Sequence, residues 1–326
     1  MNIKKIILIT IAIAIVAFVG FFMFKGRDNR NEDSKKIKVI SSNFASYDFL
    51  RAIIGDNENI ELTFLLGPGK DAHSYDPTAQ DLIKIQNADL FVYIGGEMEK
   101  WSDKVLEALE DTDNKVICIA DDIETVKEKE VDGAEEEDDH ENEDEHEEGA
   151  FDEHIWTSPS NAIKMVQTLE KAMEEIDSQN SSKYKENSEK YIAQIKEVDK
   201  KIQNVVDNKK RDRLVFGDKM PMQYFIDYYN LKASAAFNGC STETEPSAST
   251  IAYLENKVKE ENIPVVLYVE LNPGKVAKII ATEADNGCEA MQIQALHNVT
   301  LDDFKNGETW VSLMERNVDV LKKALH

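Results

Sequence analysis

Two histidines in distinctive loops are the residues of this chain best placed to do chemistry. His73 lies in Gly67-Pro68-Gly69-Lys70-Asp71-Ala72-His73-Ser74-Tyr75-Asp76-Pro77, and His154 in Phe151-Asp152-Glu153-His154-Ile155-Trp156-Thr157-Ser158-Pro159. Between them, from Asp132 to Glu148, stand twelve acidic residues, no Lys or Arg, and two further histidines, His140 and His146. Imidazoles and carboxylates coordinate first-row divalent metals, so the pattern points to a cation site. Plainer readings compete: a loop histidine can be a cap or packing residue, and a charge run can be a solvated surface.

The elements that must position these loops follow from patterning. Short apolar runs at 37–40, 60–66, 90–94, 116–119, 214–216 and 265–269 alternate with amphipathic stretches such as Leu82, Ile85 and Ala88. Such alternation predicts an α/β fold with mainly parallel sheets flanked by helices. Ligands of open α/β sheets bind beyond the carboxyl ends of strands, where a turn after 60–66 would place His73. Ser158 and Pro159 read as the N-cap and first residue of a helix whose face is Ile163, Val166, Leu169, Met173 and Ile176. A second stripe, Tyr184, Tyr191, Ile195, Val198, Ile202 and Val205, has no Gly or Pro to break it. At 1.5 Å per residue it spans about 38 Å, enough to run the length of a molecule. The expected plan is an N-terminal lobe at 35–180 interrupted by an acidic, histidine-containing loop at 127–150. A rigid connecting helix at 181–208 and a C-terminal lobe at 209–326 follow.

Residues 1–34 stand apart. Lys4 and Lys5 precede an apolar run at 6–24, and Arg27, Asp28, Asn29 and Arg30 follow it. A helix crossing a bilayer needs about 20 apolar residues, so this reads as an uncleaved signal anchor, with a cleaved signal peptide as the alternative. The remainder is then extracytoplasmic. Three cysteines do not make a disulfide framework in such a chain. Cys118 and Cys288 read as small core residues, whereas Cys240 sits in a polar loop. A net charge of −25 disfavours nucleic acid and anionic lipid as partners and favours cations.

Residues 67–78, 88–101 and 152–162, with Val269-Glu270, resemble the metal-binding substrate-binding proteins of bacterial ABC importers, in particular the zinc branch (cluster A-I). The resemblance extends over nearly all of residues 38–326. It implies two α/β lobes joined by one long rigid helix, with a single Zn²⁺ or Mn²⁺ held in the cleft between them. His73 and His154 carry over as the N-lobe ligands, and Asp152 as the group that orients a His154 ring nitrogen or its loop. Trp156 and Pro159 carry over as packing and helix-starting residues.

The C-terminal lobe departs from the family. A histidine usual before an aromatic-rich helix start is missing from 216–225, and a carboxylate usual near the last strand is missing from 294–299. Cys240 and His297 are the substitutes, making three nitrogens and one thiolate with His73 and His154, a set that favours zinc over manganese or iron. Asp218, Glu243 and Glu270 are alternative C-lobe ligands. His140 and His146 would bind metal weakly in the acidic loop, and His326 would take no part. The role implied is capture of Zn²⁺ (alternatively Mn²⁺ or Fe²⁺) as cargo by a monomer that delivers it to an ABC permease and its ATPase. A zinc hydrolase is the rival class, but no His-Glu-x-x-His or serine-nucleophile motif is present. Adhesion would be an added role.

Overall fold

A computed structural model describes residues 36–70, 72–109, 114–134, 151–239 and 245–326. The 1–34 segment, Cys240, Glu243, His140 and His146 lie outside the described residues. The chain divides into Met1–Ile37 and Lys38–His326, and the fold is that of the second unit. Among the described residues no helix is long and apolar enough to cross a membrane.

The first lobe is built on β1 (Ile37–Ser41), β2 (Ile60–Phe64), β3 (Leu90–Tyr93) and β4 (Lys115–Cys118), in the order β2-β1-β3-β4. β3 pairs in parallel with both β1 and β4. The strands alternate with α1 (Phe44–Ile54), α2 (Ala79–Gln86) and α3 (Ser102–Leu109). Ile40, Ile85, Phe91 and Val105 meet in its core. The second lobe carries β5 (Arg213–Lys219), β6 (Lys232–Phe237), β7 (Val265–Val269) and β8 (Glu289–Ile293), in the order β6-β5-β7-β8, with parallel pairing throughout. The sequence reading missed β6 and β8, the two edge strands of this sheet. Lys-Ala-Ser-Ala-Ala-Phe in β6 has no β-branched residue, and Glu-Ala-Met-Gln-Ile in β8 is half polar, so neither announces a strand.

Between the lobes run α4 (Pro159–Ile176) and α5 (Ser181–Asp207). Ser158 occupies the N-cap of α4, but its hydroxyl meets Ser160 Oγ at 3.0 Å instead of capping the backbone. α5 has 27 residues, about 40 Å at 1.5 Å per residue. All six members of its predicted stripe are buried. The second lobe is completed by α6 (Gln223–Tyr228), α7 (Ala248–Glu260), α8 (Lys275–Glu283), α9 (Leu301–Lys305) and α10 (Trp310–Leu325). α5 packs along α1, α4 and α10, so elements from both ends of the chain share one helical spine.

A buried carboxylate pins that spine. Asp48 of α1 accepts from the Tyr191 hydroxyl on α5, from Trp310 N–H at the start of α10 (2.6 Å), and from Arg51 (2.5 Å). Arg51 also donates to the Glu308 carbonyl at 2.7 Å. His326 ends α10 with Nε2 3.0 Å from the Val205 carbonyl of α5. Cys118 and Cys288, expected as core residues, are only half-buried at the margins of their lobes' cores. Cys118 ends β4 and Cys288 immediately precedes β8, and both are edge strands.

Candidate metal centre

Three loops at the carboxyl ends of strands converge. The first follows β2, where Gly67 and Gly69 adopt φ of +72° and +78°, a left-handed conformation that favours glycine. Asn298, fully buried, donates from Nδ2 to the carbonyls of Gly67 and Lys70, each at 2.8 Å. Gly69 N–H donates to the Val299 carbonyl at 2.8 Å. The turn carrying His73 is thereby fastened to the segment carrying His297.

The second loop precedes α4. Asp152 Oδ1 accepts the His154 backbone N–H at 2.8 Å and lies 3.0 Å from His154 Nδ1. That contact places the ring proton on Nδ1 and presents the Nε2 lone pair. Nε2 is buried and has no hydrogen-bond partner among the described residues, a costly arrangement unless a ligand takes it up. Trp156 forms a buried bridge: its indole N–H donates to the Ala295 carbonyl at 2.8 Å, and its own carbonyl accepts from Trp310 Nε1 at 3.0 Å.

The third loop follows β8. Leu296 has φ +66°, a conformation that costs an ordinary L-residue about 1–2 kcal/mol. Glu270, just past β7, holds it there: its two oxygens accept Ala295 N–H (2.7 Å) and His297 N–H (2.8 Å), one on each side of the strained residue. Its side chain is only 2% exposed, and its Oε1 is 3.7 Å from His297 Nδ1. Replacing Glu270 by Gln puts an amide NH₂ where an acceptor is required. The expected cost is about 1–3 kcal/mol of stability, together with weaker metal binding as His297 loses its set position. Urea unfolding and zinc titration of the variant check both.

The result is a cluster in which one ring nitrogen from each of His73, His154 and His297 lies within 4.8 Å of the others. Ring centroids are 4.4 Å apart for His154 and His297, and 5.8 and 5.7 Å from His73 to these two. Small side-chain movements would bring three such nitrogens to zinc bonds of about 2.0–2.1 Å. Burial, with His297, His154 and Lys219 nearby, pushes the His73 imidazole down to about 2, so it stays neutral and able to coordinate. Burial also opposes charge on His154, but the Asp152 carboxylate outweighs it and raises that imidazole above its ordinary value.

Asp218 and Glu270 stand outside the cluster. Asp218 Oδ2 accepts Val269 N–H at 3.1 Å, and burial raises its carboxyl. Sequence reasoning missed Asn298, the Trp156 bridge, and Glu153. Glu153 accepts Met98 N–H at 2.6 Å, and burial pushes its carboxyl up to about 7. The place of Glu153 between Asp152 and His154 was the only available signal.

Residues 39–324 match the family model described as zinc-uptake complex component A, periplasmic. The zinc-binding lipoprotein AdcA of Streptococcus pneumoniae R6 is 30% identical over 295 residues, which is 90% of this chain and 57% of AdcA. This chain thus spans a little over half the length of those AdcA relatives. The high-affinity zinc uptake system protein ZnuA of Bacillus subtilis is 30% identical over 311 residues, 95% of this chain and 94% of that protein. Among solved structures, the Zn(II)-bound ZnuA-like domain of S. pneumoniae AdcA superposes with a TM-score of 0.72 at 28% identity, covering 89% of this chain and 99% of that domain. The metal-dependent lipoprotein YcdH of B. subtilis gives 0.74 at 26% identity, covering 89% and 100%.

Proposed function

The chain belongs to the zinc-uptake complex component A family, and from that premise we propose that it captures Zn²⁺ outside the cytoplasm and delivers it to an ABC-type importer. The observation that carries the reading is the meeting of three imidazoles from both lobes, with the buried Nε2 of His154 lacking a hydrogen-bond partner among the described residues. In this reading His73, His154 and His297 hold the ion, and Asp152 fixes the His154 tautomer. Cys240 is the first candidate for the fourth position, because Asp218 and Glu270 each already accept backbone N–H groups; Glu243 is the other candidate. Three nitrogens favour Zn²⁺ over Mn²⁺ or Fe²⁺.

A binding role fits this centre better than zinc hydrolysis, which needs a carboxylate or imidazole held ready as a base. Asp152 is engaged by His154, Glu153 by Met98 N–H, and Glu270 by two amides. The finer picture is a monomer tethered by the apolar segment at 6–24, docking on a permease with its ATPase, and gathering ions through His140 and His146. Its lobes lie at 35–180 and 209–326, joined through 181–208.

Titration of the metal-stripped full chain with Zn²⁺ and Mn²⁺ tests the reading: one tight zinc equivalent and much weaker manganese are expected, and no tight metal sinks it. The same titration has a pH signature. His154 has a raised pKa, so protons compete for Nε2 as pH falls through that value. Below it the dissociation constant for zinc should rise by about tenfold per pH unit for this one proton displaced. Calorimetry between pH 8 and 5 checks the slope, and a flat profile would remove His154 from the ligand set.

A further inference from the structure

Residues 126–134, expected as part of the first lobe, leave it and cross to the second. Val126 N–H donates to Tyr224 Oη of α6 at 3.2 Å, and its carbonyl accepts Asp152 N–H at 2.9 Å. Tyr224 Oη donates in turn to the Asp152 carbonyl at 2.7 Å. Lys127 pairs with Phe151 as an antiparallel bridge. The crossing therefore begins on the loop that carries His154.

It then runs along the second lobe. Gln223 Nε2 donates to the Lys127 carbonyl, and its Oε1 accepts Lys129 N–H, both at 2.8 Å. Val131 N–H donates to Asn238 Oδ1 at 3.0 Å. Asp132 forms a parallel bridge with Ser234, covering the open edge of β6, and its carbonyl accepts Ala235 N–H at 3.1 Å. Its carboxylate collects the Ser234 hydroxyl (2.9 Å), Arg213 Nη1 (2.9 Å), Lys257 Nζ (3.3 Å) and the Tyr253 hydroxyl. Gly133 follows with φ +88°, and a Cβ there would lie 2.6 Å from the Tyr253 ring, so no other residue closes this end without displacement.

We propose that 126–134 is an interlobe strap and that Asp132 is a positioning residue for metal release, tying the His154 loop to the second lobe and so setting how fast zinc leaves. This rests on the metal-capture reading. Zinc can leave only when His154 and His297, on opposite lobes, separate. The strap joins the His154 loop to α6 and β6, so separation must break the contacts at Gln223 or Asp132 along with the direct Tyr224–Asp152 and Trp156–Ala295 contacts. Neither Gln223 nor Asp132 reaches the ion; each acts through the His154 loop.

The test is stopped-flow zinc release from the loaded full chain into a chromophoric chelator. It is paired with hydrogen exchange of the 126–134 amides, for wild type, Asp132→Ala, Gly133→Ala and Gln223→Ala. Glu283→Ala, exposed on α8 away from the strap, serves as control. Expected are lost protection in 126–134 and release faster by about tenfold, with one zinc still bound and the zinc-free melting temperature little changed, because binding differences fall mainly on dissociation rates. Lost protection with wild-type release rates overturns the proposal, as does unchanged protection in all three variants. If Asp132→Ala does not fold, Gln223→Ala decides, since the Gln223 amide bonds Lys127 and Lys129 of the strap. A wild-type chain that binds no zinc would instead sink the capture reading.

Discussion

Zinc affinity is expected to fall by about 100–1000-fold when His154 or His297 is replaced by Ala. Structural zinc sites supply roughly 10–16 kcal/mol, so each of four ligands carries about 2.5–4 kcal/mol, and every 1.4 kcal/mol is about tenfold. Asp152→Asn should be milder, at about 10–100-fold, because it leaves Nε2 in place and only frees the ring to turn. Competition against a chelator of known affinity measures all three. The order of the losses matters as much as their size. If His297→Ala binds like wild type, the second lobe contributes other ligands, with Cys240 and Glu243 the first to test and Asp218 next. If Asp152→Asn equals His154→Ala, the carboxylate is itself coordinating.

The largest loss of stability should come from Asp48→Ala, far from the metal. Its side chain is 1% exposed, and the substitution strands the Tyr191 hydroxyl, Trp310 N–H and Arg51 together. Breaking one partner out of a buried charged network costs about 3–5 kcal/mol. At roughly 2–4 °C per kcal/mol, the slope for domains of about 150–250 residues, the zinc-free melting temperature should drop by about 6–20 °C. Asp48→Asn separates two contributions. Burial raises the Asp48 carboxyl above its ordinary value, against the lowering effects of Arg51 and Tyr191. A raised folded-state value means that this group's stabilisation is complete in acid and is lost as pH rises through that value, so the charge is carried at a cost at neutral pH. Asn keeps an acceptor and sheds the charge, and should cost much less than Ala. Equal losses would show that the ion pair with Arg51 dominates.

Much of this molecule was legible before folding, and the legible part has a common cause. The α/β alternation, the unbroken stripe of α5 and the Gly-Pro-Gly turn before His73 are all encoded within one element or one loop. There, side-chain period and backbone freedom act over a few residues. The edge strands β6 and β8 were missed because their pairing comes from neighbours and not from their own composition. From sequence alone Glu270 reads as an alternative ligand. Only folding shows its two oxygens divided between Ala295 and His297 N–H, holding Leu296 in its strained turn.

The sequence by itself determined that this chain would form two α/β lobes on a long helix, and it marked His73 and His154 through the loops around them. Only the tertiary structure decided how those histidines meet His297, which stands more than 140 residues from either. Their convergence depends on contacts between distant segments: Asn298 clasping the Gly67 turn, and Trp156 bridging to Ala295. Local patterning specifies which elements form. The site is assembled where hydrogen bonds between separate loops leave each imidazole little other place to be.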